Sequence, residues 1–206
     1  MHPNPAFRST PREASLAFAR RRGFGILSVN GSEGPLVAHV PFTQDEAGTV
    51  AHLHLLRSNP ILAALETAQP ALLAVSGPDG YVSPDWYGVD DQVPTWNYVA
   101  VHLRGTLERL PQDQLEAVLR DLSESFEQRL APKPVWRSNK VDRVTFERLL
   151  RAIVWVRLGI RTVDSTWKLS QNKPVSARLG AANEIESGIG QDLAALAALM
   201  REVTAE

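Results

Sequence analysis

The segment His54-Leu55-Leu56-Arg57-Ser58-Asn59-Pro60 places a guanidinium and a hydroxyl directly before a predicted helix. Asn59 is a favourable N-cap, and Pro60 suits the first helical position. Amides at a helix start attract anions, the fork of Arg57 can hold two phosphate oxygens, and Ser58 adds a donor. Because Pro60 has no N–H, side chains must supply much of the donation. The segment predicts an anion site; the alternative is a surface arginine beside an ordinary cap.

Five of the chain's 14 aromatic residues lie between Tyr81 and Tyr98, in a segment interrupted by Gly and Pro. Large aromatic side chains on a loop bury against a core, a subunit interface or a flat ligand. Packing in a core or interface is the ordinary explanation for any single ring. The run Pro94-Thr95-Trp96-Asn97-Tyr98, however, interleaves stacking and hydrogen-bonding groups. That combination suits a planar heteroaromatic ring with polar edges.

The run Lys168-Leu169-Ser170-Gln171-Asn172-Lys173 places two cations and three neutral polar side chains after an apolar strand. One explanation is a solvated loop. The other is a second cationic arm that closes on an anionic ligand. The sequence leaves both explanations open.

The sequence contains no G-x-S-x-G, Walker or G-x-G-x-x-G motif. His52 and His54 would lie on one face of a strand, but no carboxylate stands at a familiar metal-ligand spacing from them. We therefore predict no catalytic side-chain constellation and no metal site.

The apolar runs predict an order that is mostly strand after strand, with helices set between them and at the end. A first helix begins with Thr10 and Pro11 and ends at Gly23. The predicted strands are 24–29, 36–42, 49–55, 71–76, 97–110 and 152–163, of which the first three form an antiparallel meander. The later helices are predicted at 59–67, 112–130, 141–150 and 189–203, and loops at 81–94 and 166–174. This order predicts a mainly β (α+β) fold, an antiparallel barrel with peripheral helices.

The 206 residues are 44% hydrophobic and 22% charged, which predicts one domain over 1–206 with a C-terminal helical extension from about 175. The absence of cysteine excludes disulfides and thiol chemistry and fits a reducing compartment. The 22 Lys and Arg residues nearly balance the 23 Asp and Glu residues, which argues against an autonomous nucleic-acid-binding module. No stretch has the length of a membrane span, and the N-terminus lacks a signal-peptide pattern. We expect a cytoplasmic protein that does not insert into membranes.

Several strings together resemble the PaiB-type family of FMN-binding negative transcriptional regulators, whose fold is a flavin-binding split barrel. The resemblance extends from Phe7 to Asn172 and includes the segments described above. The matching strings are Leu36-Val37-Ala38-His39-Val40-Pro41-Phe42, His54 through Pro60, Tyr81-Val82-Ser83-Pro84-Asp85-Trp86-Tyr87, Val93-Pro94-Thr95-Trp96-Asn97-Tyr98 and Lys168-Leu169-Ser170-Gln171-Asn172.

The resemblance implies FMN as the cofactor of a homodimer, with the flavin near the dimer interface. Arg57 and Ser58 would hold the phosphate, joined by Lys168 or Gln171 from the other subunit. Backbone groups of β-strand residues 38–41 would line the ring edge, and residues 95–97 would border the ring or complete the interface. The candidate cofactor-binding residues are Ala38, His39, Val40, Pro41, His54, Arg57, Ser58, Asn59, Thr95, Trp96, Asn97, Lys168, Gln171 and Asn172.

Two functional hypotheses follow. The first is an FMN-binding regulator of the PaiB type; its regulatory role comes from the resemblance alone, and the charge balance favours indirect action or weak DNA association. The one basic run, Arg20-Arg21-Arg22, is expected to be a solvated helix end. The second is a flavin-dependent oxidoreductase similar to flavin reductases or pyridoxamine-phosphate oxidases, in which the cofactor carries the redox step. A fold that holds no flavin, or a different ligand such as haem, is a further alternative.

Overall fold

The computed structural model describes residues 1–203, which contain six α-helices and seven β-strands. The strands are β1 Phe24–Gly31, β2 Gly34–Gln44, β3 Val50–Leu56, β4 Gln69–Val82, β5 Thr95–Arg109, β6 Ile153–Lys168 and β7 Gly190–Gln191. The helices are α1 Arg12–Arg22, α2 Pro60–Ala64, α3 Leu115–Glu127, α4 Arg143–Arg151, α5 Val175–Glu184 and α6 Leu193–Glu202. No helix among these is long and apolar enough to cross a membrane.

The strands form one sheet whose neighbours follow the order β1-β2-β3-β6-β5-β4-β7, with a further pairing between β1 and β4. β1 and β2 form an antiparallel hairpin from Phe24 opposite Pro41 to Gly31 opposite Gly34. β2 and β3 are also antiparallel, so the predicted meander is confirmed. The mainly β architecture with antiparallel strands and peripheral helices is likewise confirmed.

The alternation of β3 gives the strand two chemically different faces, as its sequence predicts. Ala51, Leu53 and Leu55 are buried, whereas His52 and His54 are only partly covered. All seven β3 residues pair with β6, from Val50 opposite Gly159 to Leu56 opposite Ile153. The two histidines therefore share the less buried face of a strand that pairs with β6 along its whole length.

Contacts divide the chain into two compact units that are each assembled from separate segments. The terminal unit comprises Met1–Phe18, Val75–His102 and residues 163–203, and the central unit comprises Ala19–Ala74 and Leu103–Thr162. Each unit has buried apolar side chains of its own. Those of the terminal unit include Leu16, Val75, Val101, Ile185, Leu196 and Met200. Those of the central unit include Leu27, Phe42, Leu53, Leu73, Leu103 and Leu158.

Gly23 ends α1, as predicted from the sequence. Its φ of 60° is left-handed, and its N–H donates to the Ala19 carbonyl at 2.9 Å. A Cβ at this position would lie 2.8 Å from Cζ of Phe126, so side-chain packing also requires glycine. The three arginines before it are exposed in the last helical turn, where their charge complements the helix dipole.

The predicted end of the fourth strand at residue 76 is wrong, because β4 continues through Gly77 and Pro78 to Val82. Gly77 serves close packing here instead of a turn. A Cβ would lie 2.7 Å from Cζ of Phe18 and 2.8 Å from Cβ of Val99. In the sequence alone, a glycine that makes room for packed side chains cannot be distinguished from a glycine that ends a strand.

The predicted start of a loop at residue 166 is also wrong, because β6 continues to Lys168. Thr166 is fully buried, and its Oγ1 accepts a bond from the backbone N–H of His2. The Trp167 ring packs edge-to-face on Phe18 at a centroid distance of 5.4 Å. Contacts distant in sequence therefore extend the strand into a polar run.

Two helix boundaries also differ from the sequence-based predictions. α2 ends at Ala64 instead of residue 67, because buried Leu65 leaves helical geometry and closes a turn onto Leu62. The terminal helix begins at Leu193 instead of 189, since β7 first pairs with β4. α5 begins at Val175, where the helical extension is predicted to start; positions 204–206 of that extension lie outside the described residues.

Candidate functional site

The end of β3 presents Arg57, Ser58 and Asn59 in the central unit. The Asn59 Oδ1 accepts a hydrogen bond from the Ile61 N–H at 3.0 Å, and Pro60 occupies the first helical position, as predicted. α2 has only five residues, however, so few peptide dipoles are aligned at its start. Any anion held here depends on the side chains of Arg57 and Ser58, both of which are exposed.

The Arg57 guanidinium is oriented by the backbone of the neighbouring chain segment. Its Nε donates to the Arg151 carbonyl at 2.9 Å, and its Nη2 donates to the Ile153 carbonyl at 3.3 Å. Arg57 also donates its backbone N–H to the Ala152 carbonyl at 2.8 Å. A guanidinium has five N–H groups, so this arrangement fixes the fork while leaving donors for an anion.

His54 lies two residues before the end of β3 and is partly buried. Its Nδ1 is shielded from solvent and has no hydrogen-bond partner within residues 1–203. Burial lowers the pKa of His54 below its ordinary value of 6.5. The imidazole is therefore neutral near pH 7 and offers no charge to a phosphate.

Residues 38–41 lie on β2, whose pairing with β3 covers only Phe42, Thr43 and Gln44. Along 38–41 the strand pairs with β1, so alternate backbone groups on its other edge lack a β3 partner. The side chain of Val40 is buried, whereas His39 is exposed and stacks on Phe24 at 6.4 Å. Backbone polar groups along this edge are therefore not engaged by β3.

In the terminal unit, Lys168 ends β6 with its ammonium between polar and aromatic neighbours. Nζ donates to Oγ1 of Thr95 and lies 5.8 Å from the centre of the Phe7 ring. Burial, followed by the charge of Lys173, lowers the pKa of Lys168 below its ordinary value. The ammonium is thus partly desolvated beside a second cation.

Lys173 has a similar environment five residues further on. Its Nζ donates to Oε1 of Gln92 and lies 5.3 Å from the centre of the Tyr87 ring. Within residues 1–203, the hydrogen-bond acceptors of both lysines are neutral oxygens. The sequence places Lys173 in the polar run but assigns it no role; its proximity to Lys168 appears only in the folded chain.

The loop after β6 is held in place by Gln171. Its Oε1 accepts from the Leu169 N–H at 2.8 Å, and its Nε2 donates to the carbonyls of Ala6 and Trp167 at 3.0 and 2.6 Å. Asn172 is exposed next to it. The Gln171 amide therefore positions the loop, and the side chain of Asn172 is accessible.

Asn97 and Trp96 have opposite environments at the start of β5. Asn97 is fully buried, and its Nδ2 donates to Ser170 Oγ at 2.8 Å. The hydroxyls of Ser170 and Tyr87 are 3.0 Å apart, which completes a buried polar chain. Trp96 is 45% exposed and meets Tyr81 edge-to-face at 6.4 Å. Asn97 therefore supports the lysine-bearing loop from the protein interior. The surrounding sequence does not indicate that this residue is buried.

The structure thus brings the candidate residues together in two sets. Thr95, Asn97, Lys168 and Gln171 belong to the terminal unit and share contacts through residues 168–171. Residues 38–41 and 54–59 belong to the central unit, on the consecutive strands β2 and β3 and the segment that follows. That these residues bind a flavin stays a prediction.

Residues 1–162 match the family described as "Putative FMN-binding domain". Bacillus subtilis "Protease synthase and sporulation protein PAI 2" is 26% identical over 198 residues, which cover 95% of this chain and 94% of that protein. An uncharacterized protein of Saccharomyces cerevisiae is 31% identical over 139 residues, covering 61% of this chain and 82% of that protein.

Several solved structures share the fold. The FAD and heme binding protein from Mycobacterium smegmatis has a TM-score of 0.56 at 20% identity, covering 79% of this chain and 73% of that chain. The flavocytochrome Anf3 from Azotobacter vinelandii has a TM-score of 0.57 at 18% identity, with coverages of 81% and 72%. The family match over residues 1–162, together with the relative that covers nearly the whole chain, shows that the chain belongs to the PaiB-type FMN-binding family.

Proposed function

We propose that this chain binds FMN as a homodimer, with Arg57 and Ser58 of one subunit at the phosphate and Lys168 from the other subunit as a second cationic contact. The observation that carries the proposal is the pair Lys168 and Lys173, whose hydrogen-bond acceptors are neutral oxygens. Burial, and after it repulsion by Lys173, lowers the pKa of Lys168. A phosphate dianion would relieve this repulsion. Family membership supports a flavin as the molecule that carries the phosphate.

The residues present suit the different parts of FMN. The Arg57 fork and the Ser58 hydroxyl offer charge-assisted bonds to phosphate oxygens. The edge of β2 that lacks a β3 partner at 38–41 would offer backbone polar groups to the rim of the ring. Trp96, with its half-exposed indole, offers a stacking surface. When bound, a flavin supplies hydride and single-electron transfer, which no side chain of this chain needs to perform.

The visible absorption spectrum of the untreated full-length protein tests the proposal first. We expect a flavin spectrum, or its appearance after addition of FMN, with saturable binding in a titration. FAD is titrated in parallel and should bind more weakly than FMN. The proposal would be refuted if the purified protein contains no flavin and shows no saturable binding of added FMN.

The homodimer is tested by sedimentation of the same preparation with and without FMN. We expect one species of twice the chain mass in the presence of FMN. A monomer under saturating FMN would contradict the dimeric part of the proposal and leave flavin binding to stand on the titration.

We propose further that any regulatory role is indirect, because the net charge is −1 and the one basic run lies at an exposed helix end. Titration of the FMN-loaded protein with duplex DNA at two salt concentrations tests this. We expect no binding, or weak binding that is lost at the higher salt. Tight, sequence-selective binding at both salt concentrations would contradict indirect action.

A further inference from the structure

The loop that precedes β5 in the terminal unit carries two exposed carboxylates, Asp90 and Asp91. Within residues 1–203, neither carboxylate has an ion-pair partner. Two large apolar side chains of the same loop are also uncovered, since Val89 is 42% exposed and Val93 is 73% exposed. We call residues 88–94 the acidic loop. It combines the apolar and the charged groups from which the centre and the rim of a protein–protein contact are built.

Hydrogen bonds attach the acidic loop to the lysine pair. The Gln92 Nε2 donates to the Asp90 carbonyl at 2.8 Å, and the Gln92 Oε1 accepts a bond from Nζ of Lys173. Burial, and after it the charge of Lys173, lowers the pKa of Lys168, so the two ammonium groups are neighbours. The acidic loop therefore lies next to any surface that Lys168 contacts.

In the central unit, the last turn of α4 presents two exposed arginines, Arg148 and Arg151. In the part of the chain that the structure describes, neither guanidinium is paired with a carboxylate. Leu149 lies between them and is 54% exposed, and Val144 is 73% exposed. Val144 and the two arginines share one face of the helix, because they are four and three residues apart. We call these four residues the α4 surface.

The α4 surface adjoins Arg57. The Nε of Arg57 donates to the Arg151 carbonyl at 2.9 Å, and the Arg57 backbone N–H donates to the Ala152 carbonyl at 2.8 Å. The end of α4 is thus bonded directly to the residue that we propose for the FMN phosphate.

We infer that the acidic loop of each subunit packs on the α4 surface of its partner in the homodimer. The inference rests on the proposed function, in which Lys168 of one subunit reaches the phosphate held by Arg57 of the other. The acidic loop accompanies Lys168 and the α4 surface accompanies Arg57, so the two surfaces meet in this arrangement. A two-fold axis forms the same contact twice.

The two surfaces are complementary in charge and in polarity. The carboxylates of the acidic loop match the guanidinium forks of Arg148 and Arg151, which can bind a carboxylate through two parallel hydrogen bonds. Val93 and Leu149 supply apolar area between the charged groups. Ion pairs at the rim of an interface add little affinity, but they fix the orientation of the partners, and like charges placed there repel. Charge reversal is therefore the sharpest test of the contact.

One variant reverses the charge of each surface. Asp90→Lys with Asp91→Asn changes the acidic loop; asparagine is chosen because Asp91 has a left-handed φ of 59°. Arg148→Glu with Arg151→Glu changes the α4 surface. Sedimentation of each full-length variant is measured over a range of concentrations at low salt with saturating FMN. We expect each to dimerise at least about tenfold more weakly than the wild type, since like charges then meet at both contacts.

An equimolar mixture of the two variants is the decisive sample. In the mixed dimer, the reversed loop of one subunit meets the reversed α4 surface of the other, and the native loop meets the native α4 surface. Opposite charges return to both contacts, so we expect the mixture to dimerise as tightly as the wild type. The inference is overturned if the mixture dissociates as readily as its components, or if each variant alone is as dimeric as the wild type. If either double variant does not fold, Asp90→Lys and Arg148→Glu give the same comparison with one reversed charge on each surface.

Arg20→Glu with Arg22→Glu is the matched control, because it also reverses two exposed arginines in the last turn of a helix. It should dimerise like the wild type and should not restore dimerisation of the loop variant. Restoration by this control would indicate a general effect of net charge and would overturn the inference. A wild-type chain that is monomeric under saturating FMN would contradict the proposed homodimer and the contact together. A dimeric wild type whose charge variants are also dimeric would overturn the contact alone.

Discussion

The amide Nδ2 of Asn97 lies 2.8 Å from the Ser170 hydroxyl, in a fully buried position. Ser170 has a positive φ of 61°, in a loop where it separates Lys168 from Gln171. The bond ties the first residues of β5 to the turn that follows β6, and the same amide reaches the sulfur of Met200 in α6 at 3.5 Å. One buried side chain thus holds the lysine-bearing loop and the terminal helix to the sheet.

Replacement of Asn97 by Ala should therefore destabilise the protein. The variant removes the bonds to Ser170 and Met200 and leaves a void, so we expect a loss of about 1–3 kcal/mol in the free energy of unfolding. Urea denaturation without added flavin measures it. The matched control is Asn172→Ala, which changes an exposed residue of the same loop and should cost less than about 0.5 kcal/mol. Equal midpoints for the two variants would show that the buried bond contributes nothing.

Arg57→Ala should weaken FMN binding much more than riboflavin binding. A charge-assisted phosphate contact is worth about 1.5–3 kcal/mol, or roughly a ten- to hundredfold change in Kd, and riboflavin lacks the phosphate. Parallel titrations of the two ligands, followed by flavin fluorescence, give the comparison.

Because Arg57 also bonds the carbonyls of Arg151 and Ile153, its loss can disturb the backbone as well. Arg57→Lys controls for this, since a lysine keeps the charge and loses the fork; it should retain part of the preference for FMN. If Arg57→Ala loses both ligands to the same degree, its role is structural and the phosphate assignment is wrong.

Lys168→Met should stabilise the protein at neutral pH. Burial and Lys173 lower the pKa of Lys168 in the folded state below its ordinary value of 10.5. The unfolded chain then binds more protons between the two pKa values, so the wild type gains stability as pH rises through that interval. The difference in stability between variant and wild type should therefore shrink as the pH rises from neutral toward the ordinary lysine pKa of 10.5.

Urea midpoints across this interval measure the effect, and Lys140→Met, at an exposed lysine, should show no such trend. Inorganic phosphate should also raise the midpoint of the wild type more than that of Lys168→Met, since an anion bound only by the folded state stabilises it. The idea of an uncompensated lysine pair would be contradicted by two results together. The difference in urea midpoint between wild type and Lys168→Met would be the same at every pH, and phosphate would raise both midpoints equally.

Anaerobic mixing of the FMN-loaded protein with NADH or NADPH tests the oxidoreductase alternative. An FMN-binding regulator should show little or no bleaching of the visible flavin band over the time in which a flavin reductase would turn over. Rapid bleaching followed by reoxidation in air would favour the enzyme. Dithionite reduction is the control that shows the flavin to be reducible.

Local sequence signals predicted much of the fold. Gly23 ends α1, Asn59 and Pro60 begin α2, and the first hairpin and the amphipathic α3 form where expected, because caps, turns and periodicity act over a few residues. The errors lie at Gly77, at residues 166–168 and at the ends of α2 and α6. Except at α2, a contact distant in sequence, such as Phe18 on Gly77 or β7 on β4, overrode the local signal. α2 ends early because Leu65 turns back onto Leu62.

The sequence by itself determined the residue types from which binding can be built: Arg57 with Ser58, the aromatic run around Trp96, and the polar run from Lys168 to Lys173. Only the tertiary structure decided which of them are accessible. It buried Asn97, engaged Gln171 with the backbone and set Lys173 near Lys168. The physical reason is that burial and unpaired charge depend on which distant segments pack together, and that information does not reside in any local stretch of the chain.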